Sequence, residues 1–511
     1  MRINVISNAK RNIVWGFTYK AIMLLLPFAA RTTILKILGD QYLGLNSLFS
    51  SILQILNLAD LGFGTAIVYS MYKPITEDDS ETICALLSLY KKIYRYVGTL
   101  ILVCGLALIP FLHHLIKGEV PDNVDIRIVY LVYLINTVLS YWVFAYKGSL
   151  LSAHQRDDIS SRVNSAIVAI QYAVQITLLF LTRNYYVYLM ILPIMTLVKN
   201  ISIAIAVDKK FPKYRPHGTI STDNKKALKK QVGGLFISKV CGTTRNAVDS
   251  IFLSMFVGLT TVAIFGNYYY LMNSVHQFIG IINLSLLGGI GNRIASETEH
   301  NNHVNFRFIL FFYSWIIGWC ACCLICLYQH FMKIWVGESL LFPMPMVILF
   351  CVYFYAMGAT DVKNIYTDAT GLWWENKTRS IVETIVNFIG NFVLGYFFGV
   401  FGIIFATLIT IVFINNVMGS NILFKHYFKN ESLSQYFIDQ MLYFFVCVVA
   451  CCITFFVCSF LPSSGHLGLI EKMFLCAILP NLVYVVVFWR TEHFKRCTSL
   501  LKNNILKKLS K

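Results

Sequence analysis

Long apolar runs alternate with short polar connections from one end of the chain to the other. Fourteen runs, at 13–35, 44–70, 94–116, 127–151, 163–182, 186–207, 232–257, 260–287, 308–328, 343–366, 380–400, 402–424, 440–461 and 470–489, each hold about the 20 mostly apolar residues a helix needs to cross a bilayer. Apolar residues are continuous within each run. The pattern therefore predicts helices and not the ten-residue alternating strands of an outer-membrane barrel. An all-α membrane protein of 14 transmembrane helices is expected. Connections are short: the longest is 208–231, and no segment on the opposite side exceeds about fifteen residues. The stretch 78–92 opens with acids and closes with bases, which suits a helix dipole and predicts a cytoplasmic surface helix.

Basic residues fall on alternate connections. The segments 1–12, 71–93, 152–162, 208–231, 288–307, 367–379, 425–439 and 490–511 hold 29 Lys and Arg, whereas the opposite side holds four, Lys36, Lys117, Arg183 and Lys333. By the positive-inside rule both termini are cytoplasmic and the number of spans is even. Composition agrees: 57% of residues are apolar, 13% are charged and the mean hydropathy is +0.64, far from the roughly 25% charge of a soluble domain. The net charge of +18 lies on one side, where it faces anionic lipid headgroups better than a nucleic acid, so no nucleic-acid partner is expected.

An ungapped offset of 219 residues lays Lys10-Arg11 on Lys229-Lys230, Lys20 on Lys239, Gly39 on Gly258, Leu43-Gly44-Leu45 on Val262-Ala263-Ile264 and Phe49 on Tyr268. The same offset brings the start of span 1 onto the start of span 7. This predicts an N-terminal six-helix bundle at 1–207, a basic cytoplasmic connector at 208–231, a second six-helix bundle at 232–424, and two extra helices with a basic tail at 425–511. An even number of spans per repeat makes the repeats parallel, with a cleft between the bundles for a substrate. Fourteen cysteines lie mostly inside apolar runs, among them Cys320, Cys322, Cys323, Cys326, Cys447, Cys451, Cys452 and Cys458. They read as small apolar side chains. No Cys or His cluster shows zinc spacing on a loop, so no metal site and no cofactor are expected, and no external loop is large enough to carry an enzyme's reactive groups.

Charges inside the spans carry the candidate chemistry. Arg95, Arg127, Lys147, Lys363, Glu383, Glu471 and Lys472 lie within about two turns of a span end, where they can snorkel to the interface. The deeper set is Lys20, Arg31, Asp60, Lys199, Lys239, Arg245 and Asp249. Lys20 and Arg31, eleven residues apart, return to nearly one helix face. Pro27 between them removes a backbone hydrogen bond and is a candidate hinge. Arg245 and Asp249 have i, i+4 spacing, either a structural ion pair or a functional one. Lys239, the repeat mate of Lys20, has no acid at i±3 or i±4 and invites an anionic ligand. Asp60 sits midway along its span, and a carboxylate there costs roughly 2.5 to 3.5 kcal/mol on insertion scales. It either salt-bridges across helices or exchanges H⁺ or Na⁺, and Gly62 and Gly64 loosen the helix beside it. Asp361, Asn364 and Asp368 form one polar stripe, expected to face a water-filled vestibule. Gly395 and Gly399 form a small-xxx-small pair, expected at a helix contact.

The segment 31–75, with Arg31, Gly39, Tyr42, Leu43, Gly44, Leu45, Asn46, Phe49, Gly62, Gly64 and Tyr72-Lys73-Pro74, resembles bacterial polysaccharide flippases of the Wzx type, within the multidrug/oligosaccharidyl-lipid/polysaccharide exporter superfamily. The local match covers about forty-five residues; beyond it the likeness is one of topology. The resemblance implies a MATE-like fold in the bacterial inner membrane. It also implies movement of an undecaprenyl-pyrophosphate-linked oligosaccharide, for O-antigen, capsule or exopolysaccharide, to the outer leaflet by alternating access coupled to H⁺ or Na⁺. Implied partners are membrane lipids and the polysaccharide polymerase and chain-length machinery. A diphosphate crossing lipid needs cations in place of its hydration. Lys20, Arg31, Lys239 and Arg245 are the expected pyrophosphate ligands, and Asp60 and Asp249 the ion-coupling groups. Of these only Arg31 lies inside the matching motif. A MATE-like small-molecule antiporter, which would favour an acidic cavity, and a membrane polysaccharide polymerase are the alternative readings.

Overall fold

A computed structural model describes residues 5–57, 63–118, 120–220, 241–244, 247–461 and 465–499. No strand occurs among the described residues. They divide into two compact units, Met1–Gly266 and Asn267–Lys511. The connector boundary expected at 208–231 lies partly outside the described residues.

The first unit is built from α1 (Val5–Ile37), α2 (Asp40–Leu56), α3 (Phe63–Thr76), α4 (Ser80–Leu108), α5 (Ile126–Trp142), α6 (Gly148–Ala153), α7 (Asp157–Thr182), α8 (Tyr185–Lys210), α9 (247–256) and the start of α10 (Leu259–Ser296). α1 passes through Pro27 as one helix and packs along α7, which in turn packs on α8. Gly39, at φ 107°, ends α1 and leads into α2, a conformation that L side chains avoid. Gly44 of α2 meets the Leu259 carbonyl so closely that a Cβ there would collide with it. Leu43, Leu45, Leu48 and Phe49 on the same helix are fully buried, and the Phe49 ring packs edge-on against Tyr130 with centroids 5.6 Å apart. The spacing of small and large residues in the motif is thus a packing pattern, with glycine where backbones touch.

The stretch 78–92 is not a separate surface helix. It is the first half of α4, capped by Asp79, whose carboxylate accepts from the Thr82 amide at 3.0 Å. Ile83, Leu86, Leu87 and Tyr90 continue one apolar stripe and are buried against Tyr146, Leu150 and Val207. α5 and α6 bend by 47° at Phe144, which has φ 52°.

The second unit holds the rest of α10, then α11 (Glu299–Val336), α12 (Met344–Ala369), α13 (Lys377–Ile409), a π-helical segment (Thr410–Met418), α14 (Gly419–His426), α15 (Leu433–Ser459) and α16 (Gly465–Phe488). α13 reverses at Gly399, whose φ 56° and ψ −130° are not helical. Asn387 donates to Thr407 Oγ1 at 3.0 Å, although a straight helix would hold these residues about 30 Å apart. Asn415 likewise reaches back to Glu383 at 3.0 Å. The predicted runs 380–400 and 402–424 are therefore the two arms of a tight hairpin. Gly399 makes its turn and is not the helix-contact residue expected of it.

Eight described helices, with the hairpin of Lys377–His426 counted once, are long and apolar enough to cross a membrane, or nine with the bent α5–α6 pair. Large apolar side chains stand exposed along them, such as Phe397, Phe445 and Val486, between 66% and 70% exposed. A water-soluble surface does not carry so many, and lipid is the solvent they suit.

Candidate functional site

Of the residues expected to hold a diphosphate, Lys239 and Arg245 lie outside the described residues, as does Asp60 among the coupling carboxylates. Lys20 is exposed on α1. Arg31 is half-buried, eleven residues further on, which is about 16 Å along the helix axis. The two share a helix but are not brought together. The Arg31 guanidinium occupies space left open by a glycine: a Cβ on Gly266 would lie 2.9 Å from its Nη2 and 3.2 Å from Ser47 Oγ. Asp249 on α9 is 3% exposed. Lys199 is half-buried on α8.

Sequence reasoning missed a polar cavity of about 320 Å³ inside the first unit, lined by Asn46, Ser50, Leu53, Tyr133, Asn136, Thr137, Tyr172, Gln175, Tyr188 and Leu192. Four helices supply it. Gln175, fully buried, donates to the Tyr188 carbonyl at 3.1 Å, and Thr196 donates to Asn136 at 2.7 Å. The signal was present as mid-span amides, Gln171 with Gln175 at i, i+4 and Asn136 beside Thr137, but the search for charges passed over them. The lining carries no formal charge. It suits hydroxyl groups or ordered water and does not itself neutralise a diphosphate.

In the second unit, Lys363, Glu383 and Lys472, expected to snorkel, are instead buried. Lys363 on α12 is 1% exposed and donates to the backbone and side-chain oxygens of Asn415 at 2.8 and 2.9 Å. A π-helical turn is wider than an α turn and is frequent at functional sites; here it presents the Asn415 carbonyl to the lysine. Asn415 Nδ2 donates to Glu383. Glu383 also takes a 2.5 Å ion pair from Arg379, which donates to Asn376 Oδ1 at 3.0 Å as well. Hydrogen bonds thus satisfy a buried ionic network, as buried charge requires. Lys472 is buried too; in the first unit Lys147 pairs with Asp208 at 2.5 Å. The polar stripe of α12 is likewise partnered: Tyr313 donates to Asp361 at 2.9 Å, His276 Nε2 lies 3.1 Å from the same oxygen, and Trp373 donates to Asp368 at 2.9 Å.

The model of a family described as polysaccharide biosynthesis protein matches residues 9–287, more than half of the chain. No curated protein matches by sequence. Among solved structures, the fold is similar to a lipid II flippase MurJ in an inward closed conformation, with a TM-score of 0.65, 13% identity and coverage of 93% of this chain and 99% of that one. It is also similar to an inward-facing multidrug resistance MATE family transporter of the MOP superfamily, with a TM-score of 0.61, 11% identity and coverage of 81% and 96%. A Vibrio cholerae MATE transporter, VcmN, matches with a TM-score of 0.56, 15% identity and coverage of 84% and 99%. The fold is that of MATE and MurJ membrane transporters, as the sequence resemblance implied.

Proposed function

Because the chain belongs to the polysaccharide biosynthesis protein family, we propose that it flips an undecaprenyl-pyrophosphate-linked oligosaccharide from the cytoplasmic to the outer leaflet of the bacterial inner membrane. The observation that carries this reading is the near full-length likeness in fold to a lipid II flippase, found in a chain whose family is polysaccharide biosynthesis. Alternating access moves the substrate, with Pro27 as hinge and both termini cytoplasmic. Lys20, Arg31, Lys239 and Arg245 replace the hydration of the diphosphate. Asp60 or Asp249 exchanges H⁺ or Na⁺, and Asp361 with His276 is a further proton carrier. The protein transports and transfers no group, and a polymerase with its chain-length machinery takes over the delivered substrate.

The test replaces Lys239 and Arg245 by glutamine in the native host. Surface glycan is expected to disappear while the protein stays at its normal level in the membrane. Unchanged glycan in both variants rejects the diphosphate assignment. A second reading, export of small cations, draws on the likeness to MATE transporters. It predicts drug sensitivity and intact surface glycan when the gene is deleted, the reverse of the flippase outcome.

A further inference from the structure

Three thiols on three different helices of the second unit converge. The Sγ atoms of Cys326 on α11, Cys458 on α15 and Cys476 on α16 all lie within 4.8 Å of one another, and all three residues are buried. Cys322, one turn from Cys326, packs into the same cluster. Thiols held around one tetrahedral zinc, with Zn–S near 2.3 Å, stand about 3.8 Å apart. The three therefore need to close only slightly to share an ion. No spacing in the sequence announces this site, because each ligand comes from a separate span.

Close-packed thiols alone could be a small apolar core. Lys472 argues against that. It lies on α16 at i−4 from Cys476, on the same helix face, is 8% exposed, and acts electrostatically on both Cys458 and Cys476. It makes no ion pair or hydrogen bond among the described residues. A buried ammonium beside neutral thiols is an uncompensated charge in a medium that penalises it severely. Beside thiolates it has its counter-ion.

We propose that Cys326, Cys458 and Cys476 bind a zinc ion as thiolates, with Lys472 as the neighbouring cation. The charge count selects the metal: Zn²⁺ with three thiolates carries one negative charge, which the Lys472 ammonium cancels, whereas Cu⁺ with three thiolates leaves one charge over in the low-dielectric interior. Binding releases the three thiol protons to water, so it strengthens as pH rises. The fourth position takes a neutral donor, water. The ion would tie α15 and α16 to α11.

The experiment uses the full chain, purified with reduced thiols in lipid nanodiscs, and titrates Zn²⁺ against a chromophoric chelator, with Co²⁺ as the optical probe. We expect one ion per chain, a thiolate-to-cobalt charge-transfer band, and a rise in thermal stability with zinc. C326S/C458S/C476S abolishes binding, C320S/C452S leaves it unchanged, and Lys472→Met weakens it by about tenfold, the scale of outer-shell effects on metal sites. Should the triple variant fail to fold, the optical band of the unsubstituted protein decides. Absence of stoichiometric binding, a cobalt spectrum without thiolate character, or binding that survives the triple substitution overturns the proposal. None of these readouts depends on what the protein transports.

Discussion

Gly39 and Gly258, 219 residues apart, share one backbone conformation: φ is 107° at the first and 123° at the second. The amide of Gly39 donates to the Ile34 carbonyl at 3.1 Å and that of Gly258 to the Leu253 carbonyl at 3.0 Å, and Ile34 and Leu253 are again 219 residues apart. Each glycine ends one helix and begins the next. Alanine at either position forces a conformation that costs L residues about 1–3 kcal/mol. A Cβ on Gly39 meets nothing within 4 Å, whereas one on Gly258 lies 3.0 Å from the Lys117 carbonyl. Gly258→Ala is therefore expected to lower thermal stability in detergent more than Gly39→Ala. The reverse order would mean that the contact to Lys117 yields freely.

The ionic network of the second unit predicts an asymmetry. Glu383 pairs with Arg379, whereas Lys363 donates to Asn415. Glu383→Ala strands the Arg379 guanidinium in the interior and is expected to cost about 3–5 kcal/mol, the usual scale for breaking a buried pair. Lys363→Met leaves only the Asn415 oxygens short of a donor, about 1–3 kcal/mol. Chemical or thermal unfolding of the two purified variants gives the comparison, and an equal loss in both would show that Lys363 is needed to neutralise Glu383.

Most of the fold was legible because apolar run length is set by the bilayer itself. The hairpin was readable in outline, as two runs divided near Gly399, since a helix must stop where the membrane does. Burial depth was less legible. Lys363, Glu383 and Lys472 sit near the ends of their runs, and distance along one helix says nothing about neighbours on another. Asn415, which satisfies both Lys363 and Glu383, is 52 and 32 residues away from them. The polar cavity of the first unit escaped for a related reason: uncharged amides and tyrosines are unremarkable one at a time, and become a site only when four helices bring them together.

Arg31 supplies a prediction that separates its position from its charge. Its guanidinium fills the space beside Gly266, so Gly266→Val displaces the group without removing it. Both Arg31→Gln and Gly266→Val are expected to reduce surface glycan with protein retained in the membrane. Arg31→Lys keeps the charge but loses the planar fork that grips phosphate, and an intermediate level is expected. Full activity in Gly266→Val would place the working role of Arg31 elsewhere.

Asp361 accepts from Tyr313 at 2.9 Å, and His276 Nε2 lies 3.1 Å from the same carboxylate oxygen. An asparagine in its place keeps the shape and can still accept from Tyr313, yet it can neither gain nor lose a proton at neutral pH. Asp361→Asn is therefore expected to abolish transport driven by a pH gradient in proteoliposomes while leaving binding of the lipid-linked substrate intact. His276→Gln should weaken the response to the gradient, and Tyr313→Phe should alter it least, because the phenol orients the carboxylate without carrying its charge. If Asp361→Asn still responds fully to a pH gradient, the proton travels by another route. If a Na⁺ gradient alone drives the unsubstituted protein, the coupling ion is Na⁺ and the pair with His276 is structural.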